Sequence, residues 1–319
     1  MTSWISKRAA VWAAICLATL VAVAISCGGR SKKAEPLPPE QTMRAKAFRE
    51  YFEKLKAELG PQHSTTLAMT HQPLPLGFRA DIVVVVDTSA STDQASRIDV
   101  DQDGEVGVDD FPGESPASGS DSVLSTDSGD TILSAELRAV RTLLAALEGR
   151  DVRVAMVSFA GNTDPSTHVQ AGPASMNARV IAPLGHLAAA SSAVDQIAHA
   201  GAAGSTDFSA AISAATHALC DVPTRKGAIR SILLVTDGVP SLPHGRGDEN
   251  DPEDTEAAID AAKRASACGA PINVFAIGVW TLGDPLAMRA VAMYSGGLYH
   301  PIQHAEDLDW ALRSALGDE

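Results

Sequence analysis

Residues Asp81–Val86 read DIVVVV, five consecutive β-branched residues after one aspartate. Such a run has no polar face to offer water. It fits a strand covered on both sides, the position of a central strand in a parallel sheet. Parallel neighbours need crossover connections, usually helices. The chain supplies them. Val152–Phe159, Ser231–Thr236 and Ile272–Ile277 are further predicted strands, with Arg179–Pro183 a weaker one and Leu298–Ile302 a short one. Helical spacing of apolar residues falls at Ile132–Leu147, Leu187–Ala200 and Phe208–Cys220, and again over 285–294 and 305–316. Another helix is predicted from Pro252, with Asp251 as its N-cap and Gly269 past its end. The alternation predicts one doubly wound, Rossmann-like α/β domain over residues 80–319. Its sheet is mostly parallel and flanked by helices.

The N-terminus reads as an address. Lys7 and Arg8 precede an uncharged stretch from Ala9 to Gly29, with an apolar core from Val11 to Ile25. This is the pattern of a secretory signal. Ala24-Ile25-Ser26-Cys27 resembles a bacterial lipobox, which implies a signal peptide over 1–26 and lipidation of Cys27. Cleavage after Ala24 with secretion, or an uncleaved anchor, are the alternatives. All three place the remaining chain outside the cytoplasm. Gly28, in place of Asp, favours the outer over the inner membrane. Residues 27–42 read as a lipidated tether and 43–79 as an N-terminal helix and linker. Phe48, Tyr51, Phe52, Leu55 and Leu59 share one face of that helix. It either docks on the domain or meets a membrane surface or partner.

Composition narrows the function classes. Lys and Arg number 25 against 39 Asp and Glu, a formal charge of −14. That argues against a nucleic-acid binder, which would present a basic face. None of the four cysteines, Cys16, Cys27, Cys220 and Cys268, stands in a C-x-x-C pair. A thiolate zinc site or thioredoxin-type motif is therefore not expected. Cys220 and Cys268 each end a predicted helix that precedes a strand. Outside the cytoplasm a disulfide between them is expected, with two buried thiols as the alternative. No H-E-x-x-H, G-x-S-x-G, G-x-G-x-x-G or Walker-type loop occurs. The chain does not read as an enzyme.

In open α/β sheets, ligands collect outside the carboxyl ends of the strands. Three segments fall there: Asp87-Thr88-Ser89-Ala90-Ser91, Gly204-Ser205-Thr206-Asp207 and Thr236-Asp237-Gly238. Carboxylates and hydroxyls, without histidine or thiolate, suit a hard divalent ion such as Mg²⁺. D-x-S-x-S after a first apolar strand, a G-x-T-D-F turn and an apolar strand ending T-D-G resemble the von Willebrand factor type A family, in family order. The resemblance implies a metal-ion-dependent adhesion site formed by Asp87, Ser89, Ser91, Thr206 and Asp237, holding Mg²⁺ or Mn²⁺. Ser89, Ser91 and Thr206 would ligate directly, and the two aspartates directly or through water. It further implies binding of a protein partner whose acidic side chain completes the ion's shell.

An acidic insertion, 92–130, leaves from the first of these loops. Asp99 to Asp110 (DVDQDGEVGVDD) resembles the twelve-residue calcium loop of EF-hand and dockerin-type modules. The resemblance places Asp99, Asp101, Asp103, Glu105 and Asp110 as candidate Ca²⁺ ligands. Gly104 takes the sharp turn and Val106 the small apolar position. A second acidic run, Asp248 to Glu256, holds six carboxylates. Both runs predict a negative binding edge, and so a partner with a basic surround to its acidic ligand. The expected protein is lipid-anchored, extracytoplasmic and adhesive. The alternatives are a structural envelope lipoprotein whose metal only stabilises loops and, least favoured, a metal-dependent hydrolase.

Overall fold

The computed structural model describes residues 39–60, 79–110, 124–164, 169–245, 251–277 and 285–315. The signal segment and Cys27 lie outside them. The chain forms two units, Met1–Ala47 and Phe48–Glu319. Of the first, only the opening turns of helix α1 (Pro39–Leu59) are described. That helix begins before residue 43, with Pro39 at its start, where a missing N–H costs nothing. Among the described residues, no helix is long and apolar enough to cross a membrane.

In the second unit, six strands form one sheet: β1 (Arg79–Asp87), β4 (Asp151–Phe159), β5 (Ala178–Gly185), β6 (Ile229–Thr236), β7 (Ile272–Ile277) and β8 (Tyr299–Ile302). Their order is β5-β4-β1-β6-β7-β8. All pairs are parallel except β4 with β5. Strand β1 is central and alternates between two cores. Ile82, Val84 and Val86 pack under α2 (Ile132–Ala146), α3 (Leu187–Ala200) and the short α7 (Leu308–Ser314). Val83 and Val85 pack under α4 (Phe208–Cys220), α5 (Pro252–Ala267) and α6 (Leu286–Ser295). The unbroken valine run is thus explained by burial on both faces. Each such side chain contributes about 1.5–3 kcal/mol on leaving water.

Helix α1 sends its apolar side onto the second face. Leu55 is buried against Ile259, Leu286 and Ala290, with Tyr51, Phe52 and Leu59 beside it. Arg289 donates to the Gly60 carbonyl at 2.9 Å. The phenol of Tyr294 donates to Glu58. This segment of the helix is docked on the domain.

The amino edge of the sheet is cross-linked by the chain itself. Buried Asp81 accepts from Arg153 at 2.8 and 2.7 Å and from Arg225 at 2.9 Å. These bonds outweigh burial and hold its carboxyl below the usual carboxylate range. Cys220 and Cys268, at the ends of α4 and α5, form a disulfide with a Cα separation of 6.3 Å. That separation lies within the span a disulfide bridges without moving the backbone.

The insertion leaves and rejoins the domain at one point. Ala95 and Thr131 form an antiparallel bridge. Ser96 N–H donates to the Asp130 carbonyl at 2.8 Å, and Ile132 N–H to the Gln94 carbonyl at 2.9 Å. Inside it, β2 (Asp109–Asp110) pairs antiparallel with β3 (Leu124–Ser125).

Candidate functional site

The carboxyl ends of β1 and β6 bring together side chains from three distant stretches. Asp87 closes β1 and is fully buried. Its carboxylate accepts from Ser89 N–H at 2.9 Å and from the Thr236 hydroxyl at 2.5 Å. The Ser89 and Ser91 hydroxyls lie 3.1 Å apart, and Ser91 donates to Asp237 at 2.9 Å. Thr206 joins them beside Gly238. A Cβ on Gly238 would stand 3.5 Å from the Thr206 hydroxyl and 3.9 Å from that of Ser91. Asp87, Ser89, Ser91, Thr206 and Asp237 therefore share one small volume.

Backbone bonds set this geometry. Ala90 N–H donates to the Gly204 carbonyl at 2.9 Å, and Ala203 N–H to that of Thr88 at 2.8 Å. The Thr206 turn is also tied to the loop after β6: Ser241 N–H donates to the Thr206 carbonyl at 2.9 Å. Gly204 has φ +82°, and a Cβ there would meet the Gly161 carbonyl at 2.2 Å. Only glycine permits that approach. Asp207, next to Thr206, is a structural residue. It caps α4 at Ala210 N–H, 2.9 Å, and accepts from Asn177 at 2.8 Å.

The site is electrostatically unbalanced. Burial raises the pKa of both Asp87 and Asp237, and the Asp87 charge pushes Asp237 up further. Glu136 adds to this. It lies in α2, which packs against β1 and the turn at Ala90–Asp93. It is fully buried, and neither carboxylate oxygen has a hydrogen-bond partner. Burial raises its pKa most, and the charges of Asp87 and Asp237 raise it further. Among the described residues no Lys or Arg pairs with any of the three. An all-oxygen donor set beside orphaned buried carboxylate oxygens fits a hard divalent cation.

Glu136 is absent from the sequence motif. Its signal was its position: it falls three and four residues after Leu133 and Ile132 and four before Val140, on the apolar stripe of α2. A carboxylate there has no solvent to meet.

The insertion loop folds differently from the resemblance. Gly104 takes φ +94°, as a sharp turn requires. The carboxylates of Asp99, Asp101 and Asp130 come within 4.8 Å of one another, as do those of Asp101, Asp103 and Asp127. Asp127 and Asp130 come from the returning arm of the insertion. Buried Asp130 also accepts from Val100 N–H at 2.6 Å and Gly107 N–H at 2.8 Å. Glu105 and Asp110 are exposed and belong to neither group, and Val106 is exposed too. Asp110 is held away by its pairing with Leu124. The second acidic run is only partly at the surface. Asp251 and Asp254 are buried, and Asp254 accepts from His244 N–H at 2.6 Å and Gly245 N–H at 2.8 Å.

A family model described as von Willebrand factor type A domain matches residues 118–239. The match includes Glu136, Thr206 and Asp237, and begins after Asp87, Ser89 and Ser91. The central parallel sheet with helices on both faces has the same architecture. Residues 118–239 are thus similar to a von Willebrand factor type A domain, set on a doubly wound α/β fold. A variant of the PilB minor pilin from Streptococcus sanguinis superposes on this chain with a TM-score of 0.51 at 11% identity. That alignment covers 77% of this chain and 62% of the pilin. The pilus adhesin SpaC from Lactobacillus rhamnosus GG gives 0.49 at 16% identity, covering 77% of this chain and 31% of the adhesin. This chain thus spans less than two thirds of either protein. No curated protein matches the sequence.

Proposed function

We propose that the type A domain binds a protein partner through a divalent ion, Mg²⁺ or Mn²⁺, held by Asp87, Ser89, Ser91, Thr206 and Asp237. The observation that carries this reading is the meeting of two buried aspartates and three hydroxyls at one sheet edge, with no cationic side chain paired to them among the described residues. When bound, the ion supplies a Lewis-acidic position that an acidic side chain of the partner fills. The chain's own part is positional. Thr236 and Ser89 N–H fix the Asp87 carboxylate, Ser91 orients Asp237, and the Ser241 contact sets the Thr206 turn. The role is adhesion or assembly, not catalysis. The exposed carboxylates of the insertion favour a partner with a basic surround.

In the same reading the N-terminal address makes this an extracytoplasmic lipoprotein, anchored through Cys27 and sorted to the outer membrane. The insertion holds Ca²⁺ between Asp99, Asp101 and Asp103 and the returning Asp127 and Asp130. Ca²⁺ there folds the insertion. The test is capture of envelope proteins by the purified chain, with and without EDTA, beside Asp87→Ala and Thr206→Ala. Capture that needs the metal and is lost in both variants is the expected outcome. Capture unchanged by EDTA and by Asp87→Ala would return the metal to a purely structural role.

A further inference from the structure

Glu136 is the buried group that the five-residue motif leaves unused. It sits on the first turns of α2, among Ile132, Leu133, Leu137 and Val140, where an apolar residue would complete the core. It is fully buried and both its oxygens lack a partner. Ionisation does not resolve this. A protonated carboxyl also needs an acceptor for its proton and a donor for its carbonyl oxygen. Each unmet group bears the full cost of its lost hydration. Its helix packs against β1 and the turn at Ala90–Asp93, which carry Asp87 and Ser91, and the like charges of Asp87 and Asp237 act on it. What satisfies three such carboxylates at once is a divalent cation with its water shell. Buried second carboxylates are the usual partners of groups around a bound metal.

We infer that Glu136 is a further acidic residue of the metal centre, accepting from the ion's bound water and so retaining the ion. This rests on the adhesion-site reading. The consequence is charge. Asp87 and Asp237 alone neutralise a divalent ion, and Glu136 takes the centre to one net negative charge. The domain then holds its ion more tightly, at the expense of the pull on an incoming acidic ligand.

The test is Mn²⁺ titration by calorimetry of the chain from residue 28 onward, wild type beside Glu136→Gln. Asp87→Ala gives the binding that belongs to the insertion. Glu136→Gln is expected to weaken the Asp87-dependent Mn²⁺ affinity tenfold or more, within the range for groups that act through bound water. Metal-free thermal stability should be equal or higher, because a buried charge is gone. Wild-type Mn²⁺ affinity in Glu136→Gln overturns the inference and leaves the adhesion site standing. Absence of Asp87-dependent binding in the wild type overturns both. If Glu136→Gln fails to fold, the Glu105→Gln variant, which keeps Glu136 and carries ¹³C-labelled glutamate, decides by Mn²⁺ electron–nuclear double resonance. A ¹³C coupling from glutamate supports the inference, and none overturns it.

Discussion

Asp81 and Asp87 stand six residues apart on β1, one at each edge of the sheet, and both are buried. Their surroundings are opposite. Asp81 is gripped by Arg153 and Arg225, and its pKa is lowered. Asp87 meets a hydroxyl and a backbone N–H, and burial raises its pKa. The chain evidently can neutralise a buried aspartate with its own arginines. Among the described residues the arginine-paired buried aspartate lies at the edge that also carries the disulfide. The cluster at the other edge, where no described Lys or Arg pairs with Asp87, Asp237 or Glu136, is what the proposed cation would neutralise.

That contrast can be broken by experiment. The largest effect is expected from Asp81→Ala, which removes the buried carboxylate that Arg153 and Arg225 share. It should cost about 3–5 kcal/mol by urea unfolding. Asp87→Asn in metal-free protein should stay within about 1 kcal/mol of wild type or exceed it, since it relieves repulsion. Equal losses at both positions would end the comparison. Cys220→Ser with Cys268→Ser opens a cross-link spanning 48 residues. Chain entropy puts that loss at about 4 kcal/mol, with Mn²⁺ affinity unchanged. A change in that affinity would mean the two edges are coupled.

Acid should act elsewhere in the sheet. His300 on β8 stacks on Phe275 with ring centroids 4.6 Å apart, and burial lowers its pKa to about 4. Its folded value lies below its unfolded value. The contribution is therefore complete above the unfolded pKa, about 6.5, and is lost as pH falls toward about 4. His300→Phe should remove up to about 3 kcal/mol of that loss, read as the difference between two stability–pH curves. Parallel curves would show that His300 is not the group titrating. The gain from metal is below that of the disulfide. Mg²⁺ at a hundred times its Kd should add about 2.7 kcal/mol. Asp81→Ala should keep that increment and Asp237→Ala should lose it.

Where burial is written into consecutive residues, the chain declared its structure. DIVVVV implied a strand covered on both faces, and the helices Leu187–Ala200 and Phe208–Cys220 have the limits that their apolar spacing predicts. The meeting of Asp87, Thr206 and Asp237 was legible only through loop order at a sheet edge. Contacts made across the fold left weaker traces. Asp127 and Asp130 reach the loop at Asp99 from the far arm of the insertion, so no local spacing announces them. Asp254 read as part of a solvated acidic run. It is instead a buried acceptor for the loop at His244, with a pKa that burial raises to about 6.

The bridge between Ala95 and Thr131 carries one last implication. A polypeptide excursion whose two ends already touch can be excised and replaced by a tight turn without moving β1 or α2. Evolution would meet the same freedom in reverse. A decoration of almost any length can be grafted at this neck, beside the Asp87 cluster, so that the surface there diversifies while the scaffold beneath stays constant.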